Sequence, residues 1–173
     1  MPLTVTLAAQ LSVAVSGRYR LADTTWGEAA KVLNKTVLEA LTHGVDEYQS
    51  NRLYSTSGTI SSGSFVDVDL GLGSLEDIYG QTIALEELTL LIVTNKNTTA
   101  SQTLVVGGAA VAPLSSLFAD ASDKAVIGPD GLLLLWSPKD GYIVDAGHYN
   151  LRLATGGAYT VAYELLAIGR QTP

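Results

Sequence analysis

The chain has no cysteine among its 173 residues, which removes disulfide staples and thiolate-bound zinc from consideration. Charge is scarce as well. Charged residues make up 16% of the sequence, against about 25% in an ordinary globular domain. A shortfall of that kind suggests surface buried between subunits. Basic residues are the scarcer sign: ten Lys and Arg against seventeen Asp and Glu leave a formal net charge of −7. A protein that tracks a phosphate backbone must neutralise it with basic side chains, so nucleic acid is set aside as a partner. No apolar run approaches the roughly 18 residues of a transmembrane helix, and Met1-Pro2-Leu3-Thr4 carries no basic segment ahead of an apolar one. The expectation is a soluble protein, made in a cytoplasm and without membrane contact.

Apolar residues, by contrast, are plentiful at 47% of the chain, enough for a sizeable core without metal or disulfide. Residues 3 to 15 alternate with period two: Leu3, Val5, Leu7, Ala9, Leu11, Val13 and Val15 share one parity, and Thr4, Thr6, Gln10 and Ser12 the other. This run exceeds the usual strand of about five or six residues. It therefore either breaks near Ala8-Ala9-Gln10 or serves as an arm that pairs with a neighbouring subunit. Leu3, Val5, Leu7, Leu11 and Val13 are the candidate interaction residues. Next, Ala29, Ala30, Leu33, Val37, Leu38 and Leu41 recur at three- and four-residue spacing after Asp23 or Thr24 and before Gly44, which predicts one helix over residues 25 to 43.

Beyond residue 46 the pattern is that of a β protein. Residues 46 to 64 read as a linker or a loosely paired extended segment, and Phe65 to Leu70 as a short strand. Leu88, Leu90, Ile92 and Val93 run into the polar stretch Thr94 to Thr99, and Leu104 to Val106 run out of it, which reads as a central hairpin. The turn signals Gly128-Pro129-Asp130-Gly131, Ser137-Pro138-Lys139-Asp140-Gly141 and Thr155-Gly156-Gly157 then separate short strands, one of them the continuous apolar run Leu132 to Trp136, as expected of a strand covered on both faces. The expected fold is mainly β, an antiparallel β-sandwich or jelly-roll-like domain with an N-terminal strand or arm and one helix. The division is residues 1 to 48 for the arm and helix and 49 to 173 for the sandwich.

Candidate chemistry is thin. Asp67 and Asp69, with Glu76 and Asp77 nearby, offer oxygen ligands for calcium, but Gly71 stands where an EF-hand loop places a third oxygen. Their alternation with Val66, Val68 and Leu70 is explained by the solvated face of a strand. His43 and His148 fall in no ligand pattern, and no Gly-x-Ser-x-Gly elbow accompanies the many serines. Gly71-Leu72-Gly73 and Gly107-Gly108 lack the context of a phosphate loop. Asn34-Lys35-Thr36 and Asn97-Thr98-Thr99 match the glycosylation pattern, which means nothing without a signal peptide. The scattered tyrosines fit packing better than a carbohydrate platform. No catalytic residue, cofactor or metal is expected.

One combination does resemble a known family. It comprises Ile92 and Asn95 with Asn97-Thr98-Thr99, Leu104-x-Val106-Gly107-Gly108-Ala109, Gly128-Pro129-x-Gly131, Asp140-Gly141-Tyr142 and Val161-x-Tyr163, together with Asn51-Arg52-Leu53-Tyr54, Gly58-Thr59 and Asp69-Leu70. Over roughly residues 50 to 169 this resembles the small virion structural proteins of tailed bacteriophages. The resemblance implies a non-enzymatic part of a virion, assembled in the bacterial host cytoplasm. Low charge, a long N-terminal strand and a β-sandwich favour a head decoration (cement) protein that binds the major capsid protein. Such proteins are often homotrimers, a property carried by the resemblance alone. A tail-tip, fibre-attachment or receptor-binding module is the alternative, and a carbohydrate-binding module a more distant one.

Overall fold

The computed structural model of the chain describes residues 6–23, 27–77, 79–109, 111–118 and 120–172, with the backbone alone for 17–23 and 27–33. Its strands are β1 (Ala9–Asp23), β2 (Gly27–His43), β3 (Gln49–Ser50), β4 (Arg52–Ile60), β5 (Phe65–Asp69), β6 (Leu75–Glu76), β7 (Thr82–Ile83), β8 (Glu87–Asn95), β9 (Leu104–Gly107), β10 (Lys124–Ile127), β11 (Leu132–Trp136), β12 (Tyr142–Ile143), β13 (Asn150–Thr155) and β14 (Val161–Arg170). The helical content among the described residues is one 3₁₀ turn, Ser115–Leu117.

Two antiparallel sheets form the body. Sheet I has the order β10-β9-β13-β5, and sheet II the order β11-β8-β14-β4 with β12 also paired to β8. Along the chain β4 lies in II, β5 in I, β8 in II, β9 and β10 in I, β11 in II, β13 in I and β14 in II. That alternation is the jelly-roll arrangement of two interlocked Greek keys. The core lies between the sheets, where alternate residues of facing strands meet: Leu91, Val93, Leu165 and Ala167 from sheet II against Val68, Leu104, Val106, Leu151 and Leu153 from sheet I. The expected sandwich is therefore present.

Two details differ from the sequence reading. The segments on either side of Thr94 to Thr99 are not a hairpin, because β8 and β9 belong to opposite sheets and the polar stretch carries the chain across the sandwich. Asn95 shows why this stretch is polar. Its side chain is fully buried and its amide donates to the carbonyls of Gln102 (2.8 Å), Ile127 (3.1 Å) and Gly128 (3.0 Å), while its oxygen accepts from Asn97. One side chain so ties the crossing to the β10–β11 turn. In addition, residues 52–60 of the supposed linker form β4, paired with β14 from Val161↔Ile60 to Gly169↔Arg52.

The larger correction concerns residues 25 to 43. Residues 25 and 26 lie outside the described residues, and Gly27–His43 is a strand rather than a helix: β2 pairs antiparallel with β1 from Ala9↔Leu41 to Asp23↔Gly27, giving a two-stranded arm. At about 3.4 Å per residue, fifteen-residue β1 reaches on the order of 50 Å. The three-and-four spacing is real, but a helical stripe needs a surface to cover it. Of that stripe Leu41 is packed, whereas Val37 and Leu38 are exposed. Pairing instead satisfies one backbone edge of each strand at once, including that of β1, whose period-two pattern would otherwise present two open edges.

Candidate assembly surface

The arm is fixed to the body by a buried polar joint. At its foot Thr42 and His43 pair in parallel with Gln49 and Ser50, the Ser50 hydroxyl meets that of Thr89 at 2.8 Å, and the Thr89 hydroxyl donates to the Ile168 carbonyl at 3.0 Å. Arg170, 5% exposed, holds the turn between arm and body. Its guanidinium donates to the carbonyls of Gln49 (3.0 Å), Lys139 (3.0 Å) and Pro138 and forms an ion pair with Glu87. The Tyr48 amide donates to the same Pro138 carbonyl at 2.8 Å. A buried guanidinium is stable only when its N–H groups are satisfied, and here the partners come from three separate segments.

Below the joint lies a small apolar cluster. Leu41, Leu90 and Ile168 are buried, with Leu7, Ala9, Leu53, Ile92, Leu134, Trp136 and Leu166 packed around them. Strand pairing arranges the outer face of sheet II in rows. The first is Leu53, Ile168, Leu90 and Trp136; the second Ser55, Leu166, Ile92 and Leu134; the third Ser57, Glu164, Thr94 and Leu132. The arm's foot covers the first row. Beyond it an open groove of about 430 Å³ runs over Ser55, Ser57, Ile92, Thr94, Glu164 and Leu166.

The arm itself has two faces. Directly opposed pairs put Ala9 with Leu41, Leu11 with Glu39, Val13 with Val37 and Val15 with Lys35 on one of them. Leu11 is buried near the foot, but Val13 (36% exposed), Val15 (53%) and Val37 (39%) stand free.

The candidate interaction residues therefore divide. Leu7 packs against the body, Leu11 is buried and Val13 is exposed, while Leu3 and Val5 lie outside the described residues. Sequence reasoning missed Arg170 and the apolar outer face. The signal for the face was present in three apolar runs, Leu90 to Val93 in β8, Leu132 to Trp136 in β11 and Leu165 to Ile168 in β14, which the fold makes neighbours. Leu132 to Trp136 was expected to be covered on both faces, yet Leu132 is 61% exposed.

The other candidates have structural duties. Arg152 makes a bidentate pair with Asp67 at 2.7 Å and lies 3.6 Å over the Phe65 ring. Asp69 accepts from the amides of Gly71 and Leu72 in a turn. His43 Nδ1 accepts from the Leu7 amide, and His148 meets Asp145 at 2.9 Å. Amide donation from Gly147, together with His148, holds the Asp145 carboxyl below its usual range. Among the described residues no three His, Asp or Glu side chains converge on one point.

No family model matches the chain, and no curated protein matches it. Among solved structures it is similar to the crystal structure of the Yersinia pseudotuberculosis-derived mitogen, at 12% identity and a TM-score of 0.35, over 70% of this chain and 89% of that one. A likeness of that size assigns neither fold nor function.

Proposed function

We propose that the chain is a non-enzymatic virion structural protein of a tailed bacteriophage, a head decoration (cement) protein that binds the major capsid shell and stabilises it through added subunit contacts. The arm carries this reading: a registered two-stranded arm, mounted on a jelly-roll body by a buried joint, keeps an apolar face unpartnered beyond its foot. Exposed apolar surface of this kind gains free energy only when another surface covers it. Jelly-roll bodies recur in capsid domains, which is a fold-level analogy. Acidic residues outnumber basic ones by seventeen to ten, and an acidic exterior does not adsorb the DNA the shell contains.

The test is binding to particles. Protein mixed with heads stripped of it should co-sediment at hundreds of copies per particle and raise the temperature at which heads rupture. A handful of copies, located at the tail, would instead establish the alternative of a tail-tip, fibre-attachment or receptor-binding module. The open groove beside Glu164, lined by both hydroxyl and apolar side chains, is the feature that favours a carbohydrate-binding module. Specific glycan binding, lost in Glu164→Ala with heads left unbound, would replace the cement reading.

A further inference from the structure

We propose that the open edge of β1 pairs antiparallel with the β1 of a second copy of this chain, joining two arms into one four-stranded sheet. The arm calls for such a partner. A two-stranded ribbon alone is marginally stable at best in water, and a third strand is what lets a sheet stand by itself. Beyond the foot this ribbon has none: β1 pairs with β2 through fifteen residues without a register shift, and among the described residues no strand pairs with its other edge. Alternate N–H and C=O groups of β1 therefore face outward over on the order of 50 Å.

That edge also lacks the devices that keep edges from pairing. Charge, proline and bulges are the usual ones, and from Ala9 to Gly17 β1 has none of them. Other edges are guarded or short. The outer edge of β2 carries Glu28, Lys31, Lys35 and Glu39, and β3 closes it at Thr42 and His43. In the body, β5 bears Asp67 and Asp69, β10 has four residues and β11 five. β4 is uncharged from Leu53 to Ile60, but its nine residues would leave six of the fifteen in β1 unpaired. A second β1 matches the edge over its whole length.

The sequence of β1 fits its own copy. With the twofold axis at Ser16, the register sets Leu11 opposite Leu21 and Val13 opposite Tyr19 of the second copy on one face, and Ser12 opposite Arg20 on the other. Cross-strand pairs of β-branched with aromatic residues are among the favourable ones. No charge meets a like charge, since Arg18 falls opposite Ala14 and Asp23 opposite Ala9. Pairing of the full strands supplies about fourteen backbone hydrogen bonds, against about ten in a typical protein interface. It also places the two feet on the order of 50 Å apart, so that the bodies lie at opposite ends of the shared sheet. The contact is isologous and closes at two copies. It concerns the protein alone and stands whether or not shell binding does.

The chain has no cysteine, so single cysteines placed in the full-length protein test the pairing. Opposed residues of an antiparallel pair lie about 5 Å apart at Cα, within the reach of a disulfide. Ser16 is exposed, and Ser16→Cys should oxidise to a disulfide-linked dimer. Asn34, opposite Ser16 on β2, is exposed too, but the shared sheet sets its two copies three strand spacings apart, about 14 Å. Under the same oxidant Asn34→Cys should run as a monomer on a denaturing gel. Native mass spectrometry of the wild type should show dimers. Hydrogen exchange should find successive amides from Gln10 to Ala22 protected, where a lone ribbon protects every second one. A wild type that stays monomeric at high concentration, Asn34→Cys linking as readily as Ser16→Cys, or Ser16→Cys linking in preference to Thr56→Cys at the middle of β4 would each overturn the proposal.

Discussion

Arg170 joins four pieces of chain through one buried cation, since Gln49, Glu87 and the Pro138–Lys139 loop all bond to it. Removing it leaves the Lys139 carbonyl and the Glu87 carboxylate without their partner, while the Pro138 and Gln49 carbonyls keep the Tyr48 amide and the Ser50 hydroxyl. Arg170→Ala should therefore cost about 3 kcal/mol, because breaking a buried pair from one side is far worse than never having made it. Urea unfolding measures this, and a loss under about 1 kcal/mol would show that water replaces the guanidinium without penalty. Tyr163 gives a pH-dependent counterpart. It is buried in the core, and desolvation pushes its phenol above the ordinary 10.0, with the nearby Tyr54 adding to the shift. The fold thus holds the protonated form. Stability is unaffected below the unfolded-state pKa and falls as pH rises from there towards the folded value. Tyr163→Phe should flatten part of that alkaline decline, measured as unfolding midpoints between neutral pH and about pH 11.

Among the elements, β14 shows how one glycine positions the arm's joint. Its pairing with β8 slips between Ile168 and Gly169, and a Cβ at Gly169 would lie 2.3 Å from the Glu87 carbonyl oxygen. Backbone cannot yield as a flexible side chain does, so Gly169→Ala should destabilise by about 2 kcal/mol. It should also speed amide exchange at Glu86, which donates to Arg170. Unchanged exchange there would mean that the bulge and the joint are independent. The bulge was not legible in the sequence, whereas the strands around it were. Period-two alternation and turn glycines fix where strands begin and end, but nothing local says which strands pair. Thus Leu88 to Val106 looked like a hairpin although its halves enter different sheets. The arm failed for a related reason: Ala29 to Leu41 fits a helical stripe, and its pairing with β1 is decided by a partner strand rather than by its own propensity.

For the molecule as a whole, body and arm rest on different energetics. The body keeps the entire inter-sheet core without the arm, since the residues of that cluster all follow residue 53. What the arm covers is the first outer row, chiefly Leu90 and Ile168. The apolar face that makes this arm a functional candidate was legible as Leu7, Leu11 and Val13, but its second strand was not, so deleting β1 alone is a poor test. It would leave β2 unpaired and Leu41 without Ala9 opposite. Deleting residues 1–43 removes the arm cleanly. The remaining chain should fold cooperatively with the strand spectrum of a sandwich, less stable by about 2 to 4 kcal/mol for the apolar surface uncovered. It should also fail to bind stripped heads. Thermal unfolding and co-sedimentation together decide the matter. If residues 44–173 do not fold, the arm's foot is part of the core rather than an attachment to it. If they fold and still bind heads, the arm is not the anchor, and the contact with the shell must come from the body.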